Sequence, residues 1–183
     1  MRFYDQQHQF YCGVDLHTRR MYLCILDREG NKRLHRNMRA KPLDFLNAIK
    51  GFRDDLVVGA ECMFAWYWLA DLCADQQLSF VLGHALYMKA IHGSKTKSDK
   101  LDSEKIAKLL KGGMLPMSYV YPRGLRSTRD LLRRRIYLKR KRAELLAHIQ
   151  NTKSQYNLPG FEKSISYKAN RKSVVSHFDD PSV

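Results

Sequence analysis

Residues 10–39 read FYCGVDLHTRRMYLCILDREGNKRLHRNMR, and this stretch decides the fold. Phe10–His17 and Met21–Leu26 are apolar runs with β-branched and aromatic content, the pattern of buried strands. Asp27-Arg28-Glu29-Gly30-Asn31, directly after the second run, has hairpin-turn chemistry. Lys32–Arg39 is polar and basic, which predicts a third strand near a sheet edge. The chain therefore opens as an antiparallel meander.

Further along, the period changes. Pro42 opens a helix expected to run through Phe52, with Leu43, Leu46 and Ile49 on one face. Leu56–Glu61 is a short buried-type strand, and Met63–Asp75 an aromatic-rich helix. Ser79–Gly83 is another strand, and Leu86–His92 starts a helix. Ser98–Lys111 is a clearer helix that stops at Gly112-Gly113. Met117–Tyr121 is expected to be a last extended piece. A meander followed by βαβ units predicts a mixed α/β sheet with helices on both faces. The aromatic run Phe64, Trp66, Tyr67 and Trp68 reads as core filling rather than a base-stacking platform.

The chain has 183 residues and a formal charge of +15, with 44% hydrophobic residues, which suits a buried core and a polyanionic partner. The charge is uneven. Between Arg123 and Arg142 there are ten basic residues and one acid, Asp130. A long helix is expected from Leu125 to about Asn157, with Leu131, Leu138 and Leu145 repeating every seven residues. Arg135 and Arg142 interrupt that seam, so a short coiled coil and an ordinary packed helix both remain open. Nucleic acid is the expected contact of Arg123, Arg126, Arg129, Arg133, Arg134, Arg135, Lys139, Arg140, Lys141 and Arg142. The expected organisation is a domain over 1–122, the basic helix over 123–158 and a polar tail over 159–183.

No cysteine lies in a CxxC pair, so Cys12, Cys24, Cys62 and Cys73 read as reduced core residues of a cytoplasmic protein. The amino terminus lacks the apolar run of a signal peptide, and Glu61 and Asp71 interrupt the most apolar stretch, so no membrane span is expected.

Four carboxylates stand apart. Asp15 lies inside the first strand between apolar flanks, where a charge must be paired, protonated or metal-bound, or must end a turn. Glu61 closes a strand at the end where α/β sheets gather their sites, a place that also suits a first-turn glutamate. Asp99 and Asp102 open a helix at i, i+3 with Ser98 as N-cap, and they continue its core-facing stripe through Ile106 and Leu109. Such a group cannot stay fully ionised without a counter-charge, and Mg²⁺ or Mn²⁺ is the natural one. Lys95 and Lys97 beside these acids suit an approaching phosphate backbone. The seven histidines are scattered, with no pair at metal-binding helix spacing.

Asp15 in Gly-Val-Asp-Leu-His, Glu61 in Gly-Ala-Glu and Asp99-x-x-Asp102 in Lys-Ser-Asp-Lys-Leu-Asp together resemble the DEDD-type insertion-sequence transposases of bacteria. Leu158-Pro159-Gly160-Phe161-Glu162-Lys163-Ser164 and Tyr167-Lys168-Ala169-Asn170-Arg171 are similar to that family's segment after its first domain. The resemblance implies an RNase H-like, RuvC-like domain with Asp15, Glu61, Asp99 and Asp102 as a catalytic tetrad holding magnesium. It implies DNA as substrate, an element-encoded guide RNA as partner, and self-association through the long helix. Family members carry a second domain with a nucleophilic serine, so this chain is expected to be an amino-terminal piece, inactive alone. A non-catalytic RNA- or DNA-binding module and a self-sufficient junction-resolvase-like nuclease are the competing expectations.

Overall fold

The computed structural model describes residues 2–91, 98–172 and 174–180. It divides into two compact units, Met1–Tyr121 and Pro122–Val183.

In the first unit, β1 (Phe3–Tyr4) precedes the meander of β2 (Phe10–Leu16), β3 (Arg20–Asp27) and β4 (Lys32–Arg39). β2 and β3 pair antiparallel from Phe10↔Asp27 to Leu16↔Met21. The turn after β3 is closed by Asp27, which accepts Gly30 N–H on its carbonyl and Asn31 N–H on its carboxylate. Gly30 there has φ +96°, a conformation that glycine adopts without strain. After α1 (Pro42–Ile49), β5 (Leu56–Glu61) returns parallel to β2; after α2 (Trp66–Asp75), β6 (Ser79–Gly83) lies parallel to β5. The five-stranded sheet has the order β4-β3-β2-β5-β6. The basic strand β4 is an edge, as its composition predicts. α3 (Ala85–Ile91), α4 (Asp99–Lys111) and β7 (Leu115–Pro116) complete the unit.

Alternation along β2 builds the two layers. Cys12 and Val14 join Phe45 and Ile49 of α1 and Leu69 and Cys73 of α2 in the larger core. Tyr11, on the other face, packs with Ile106, Leu109 and Leu110 of α4. Gly13 lies between Tyr11 and Asp15 on that second face and has no side chain to hold α4 away. A Cβ at Gly13 would stand 2.1 Å from Ser103 O and 2.4 Å from Ala107 N. Its register partner Gly59 repeats the device, because a Cβ there would meet Leu110 Cδ1 at 2.6 Å. α4 therefore lies directly on the β2 and β5 backbones.

Several expectations are corrected. The first helix stops at Ile49 and continues as a 3₁₀ turn over Lys50–Asp55. Its buried face is Phe45, Ala48 and Ile49, which leaves Leu43 exposed. α2 starts at Trp66, not Met63. Met117–Tyr121 is not a strand: pairing is confined to Leu115–Pro116 against β1 and a single bridge from Met117 to Gly83. Three cysteines are buried and Cys62 half-buried, all as free thiols.

The second unit is led by α5 (Arg123–Gln155), about 50 Å long at 1.5 Å per residue. Leu131, Leu138 and Leu145 of the heptad seam are all exposed. Residues 159–180 are not purely polar surface, since Ile165 is buried. Arg142 donates to Ser166 O, and Arg171 Nε donates to Ile165 O at 2.9 Å. Among the described residues no helix is long and apolar enough to cross a membrane.

The contact at Gly13 makes a sharp prediction. Gly13→Ala should destabilise the first unit by about 3 kcal/mol, because its Cβ meets backbone rather than a movable side chain. Gly51→Ala, with open space at its Cβ position, should change stability by less than about 0.5 kcal/mol. Urea unfolding monitored by the fluorescence of Trp66 and Trp68, both in this unit, compares the two.

Candidate active site

The same packing brings Asp15 and Asp99 to one place, while Glu61 and Asp102 are not part of the group those two form with His17. Asp15 is two residues beyond Gly13, so it shares the α4 face and sits one position before the end of β2. Gly113, just past the end of α4, approaches Tyr4, ahead of β2; α4 therefore runs opposite to β2, with its first turn at the carboxyl end of that strand. Ser98 caps that turn, its Oγ accepting Leu101 N–H at 3.3 Å. Four residues before Ser103, which rests on Gly13, comes Asp99. One helical turn and two strand residues both advance about 6 Å, so Asp99 arrives at Asp15.

Glu61 reaches the same edge by register. Val14 pairs with Ala60, so the next step in each strand brings Asp15 level with Glu61, about 4.8 Å away in strand spacing. Glu61 is half-buried and pairs in the backbone with Gly83 of β6.

The closest side-chain group includes a residue that sequence reasoning passed over. His17 Nε2 stands 3.3 Å from Asp15 Oδ2 and 3.5 Å from Asp99 Oδ1. One donor atom each from Asp15, His17 and Asp99 lies within 4.8 Å of the others. The available signal is Asp15-x-His17, a strand spacing that places both side chains on one face, whereas helical spacing pairs none of the histidines.

Asp15 is the buried floor of the group, its side chain 15% exposed; Asp99 and His17 are open, at 56% and 55%. Burial pushes the Asp15 carboxyl up to about 6. His17 opposes this by charge and hydrogen bonding, while Asp99 and Asp102 add to it. Asp102 accepts Lys105 Nζ at 3.0 Å. Glu104, buried on the same helix, is gripped by Lys108 and Lys32 at 2.7 Å each, which hold its carboxyl down to about 2 and tie α4 to the start of β4.

The other expected contacts separate. Lys95 and Lys97 lie outside the described residues. On α5, Arg123, Arg133, Arg134, Arg135, Lys139, Arg140, Lys141 and Arg142 are exposed. Arg129 is half-buried beside Asp130, and Arg126 is only 8% exposed, which sets it apart from the open basic surface. The aromatic run also divides. Trp66 is core, but Phe64 is 74% exposed in the turn after β5, which corrects the expectation of core filling there.

An antiparallel meander extended by two parallel strands, with carboxylates gathered at the strands' carboxyl ends, defines the class: an RNase H-like α/β domain. A family model for IS110-type DEDD transposases matches residues 12–157, and the chain belongs to that transposase family. This is a family of DNA-processing enzymes whose chemistry implies a divalent metal. No match was found among curated proteins.

The raised Asp15 carboxyl has a pH signature. Its protonated form is favoured by the fold, so the associated stability is fully present below about pH 4 and is lost as pH rises through about 6. In chelator-treated protein, Asp15→Asn should be about 2–3 kcal/mol more stable than wild type at pH 7.5 and equal to it at pH 4. Urea titrations at the two pH values measure the difference.

Proposed function

We propose that this chain supplies the metal-dependent phosphodiester chemistry of a DNA transposase, with Asp15, Glu61, Asp99 and Asp102 as the acids that hold Mg²⁺ or Mn²⁺. The observation that carries this is the meeting of Asp15 with Asp99 and His17 at one sheet edge, in a chain otherwise dominated by positive charge. The donor set fits the group: hard carboxylate oxygens from a strand and a helix, one of them poorly solvated. A divalent ion supplies charge neutralisation at a scissile phosphate and a means to activate the attacking oxygen.

The chain's own residues supply the rest. Asp15, fixed by β2 and roofed by α4, is the rigid anchor. Lys105 holds the Asp102 carboxylate in one orientation. Glu104, through Lys32 and Lys108, keeps the α4 first turn over the strand ends. Exposed Arg133, Arg134, Arg135, Lys139, Arg140, Lys141 and Arg142 offer a phosphate-tracking surface for DNA or an element-encoded guide RNA. The exposed leucine seam of α5 suits a second copy of the chain, which sedimentation equilibrium would register as a dimer mass.

One observation favours a second reading. Lys105 and His17 already give Asp102, Asp15 and Asp99 partners, as expected of structural acids in a non-catalytic nucleic-acid-binding module. Isothermal titration with Mn²⁺ separates the two. Asp15→Ala and Asp102→Ala should each weaken binding at least tenfold; unchanged binding in both removes the metal site. Cleavage of branched DNA by the chain alone with Mn²⁺, abolished by Asp15→Ala, would instead support a self-sufficient nuclease.

The basic helix is tested by salt. Replacing Arg133, Arg134 and Arg135 with Ala should lower the slope of log affinity for duplex DNA against log salt by about 2–3, since each phosphate contact contributes about 0.9. An unchanged slope assigns the contacts elsewhere.

A further inference from the structure

We propose that His17 is a direct nitrogen ligand of the metal site and tilts it toward Mn²⁺ over Mg²⁺; this rests on the acidic site proposed above.

Position comes first. His17 comes directly after Leu16, the last residue of β2, and its backbone N–H donates to Arg20 O at 3.0 Å, closing the turn into β3. That bond fixes the Cα, and strand alternation directs the imidazole to the face that Asp15 occupies. Nε2 of the ring then stands near both carboxylates, 3.3 Å from Asp15 Oδ2 and 3.5 Å from Asp99 Oδ1.

Spacing comes second. Adjacent ligands of an octahedral ion at about 2.1 Å stand about 3.0 Å apart. The Nε2-to-oxygen separations of 3.3 and 3.5 Å lie within a few tenths of an ångström of that edge. A side chain that is 55% exposed covers the difference by a small rotation.

The donor chemistry then gives selectivity. Mg²⁺ prefers oxygen and water around it, whereas imidazole suits later first-row ions, and Mn²⁺ combines a taste for carboxylate with tolerance of nitrogen. A site of carboxylates and one imidazole is therefore biased toward Mn²⁺. The competing role for His17 is a cation standing between Asp15 and Asp99, which an entering metal would have to displace.

Pulsed electron paramagnetic resonance on the Mn²⁺-loaded protein, with Mn²⁺ and Mg²⁺ titrations of wild type and His17→Gln, decides between them. The expected result is nitrogen modulation of the Mn²⁺ signal that disappears in His17→Gln. Mn²⁺ affinity should fall about tenfold in that variant, and Mg²⁺ affinity by less than about threefold. Bound Mn²⁺ without nitrogen modulation, or His17→Gln binding Mn²⁺ as tightly as wild type or more so, overturns the His17 assignment and leaves the acidic site standing. Mn²⁺ binding that is absent, or indifferent to Asp15→Ala, overturns the acidic site and this inference with it. Far-UV circular dichroism of His17→Gln should match wild type, because the side chain is largely in solvent.

Discussion

The backbone of α4 rests on Gly13, and the site depends on that contact. With any side chain at Gly13, Ser103 and Ala107 would have to lift by about an ångström or more to reach ordinary contact distance, and the first turn of α4 would move away from Asp15. Gly59, level with Gly13 on the neighbouring strand, extends the floor, and Ile106 and Leu110 fill it. Each glycine stands two residues before an acid, Gly13 before Asp15 and Gly59 before Glu61. The pleat puts each pair on one face, so the device that brings the helix down also leaves Asp15 beside Asp99 at the start of the helix.

Charge then works against the packing. Asp15 is pressed under α4, where ionisation is disfavoured, and Asp99 and Asp102 add negative potential. Lys105, Lys32 and Lys108 answer part of that charge, but Lys32 and Lys108 are committed to Glu104, which locates the helix. His17 stands against both Asp15 and Asp99. Asp15 is thus a poorly solvated carboxylate with the His17 nitrogen 3.3 Å away. Far along the chain, the open face of α5 presents the opposite sign to solvent, as suits a chain whose substrate is DNA.

Much of the fold was legible because the strands carry strong local signals. Leu56–Glu61 and Ser79–Gly83 stand where their apolar runs predict, and α4 begins after Ser98 and ends before Gly112 as its capping residues require. Differences fall where local pattern is weak or tertiary contact overrides it. β1 and β7 are two residues each, too short to show a period. Leu43 looks like core by spacing, yet the sheet receives Phe45 instead. Phe64 belongs to an aromatic run but sits in the turn after β5, where no layer covers it. His17 is hidden for a related reason: its partners Asp15 and Asp99 are 84 residues apart, and only the strand period links it to the first of them.

By itself the sequence determined the order of the sheet's five main strands, the start and stop of α4 and the basic helix, because those arise from side-chain period, turn chemistry and charge along the chain. Only the tertiary structure decided which groups share a site. Asp15, His17 and Asp99 meet because two glycines let a helix backbone touch a sheet, a contact made by the absence of side chains. That absence has no periodicity to betray it, and its consequence appears only when the strands are in register and the helix is laid across them.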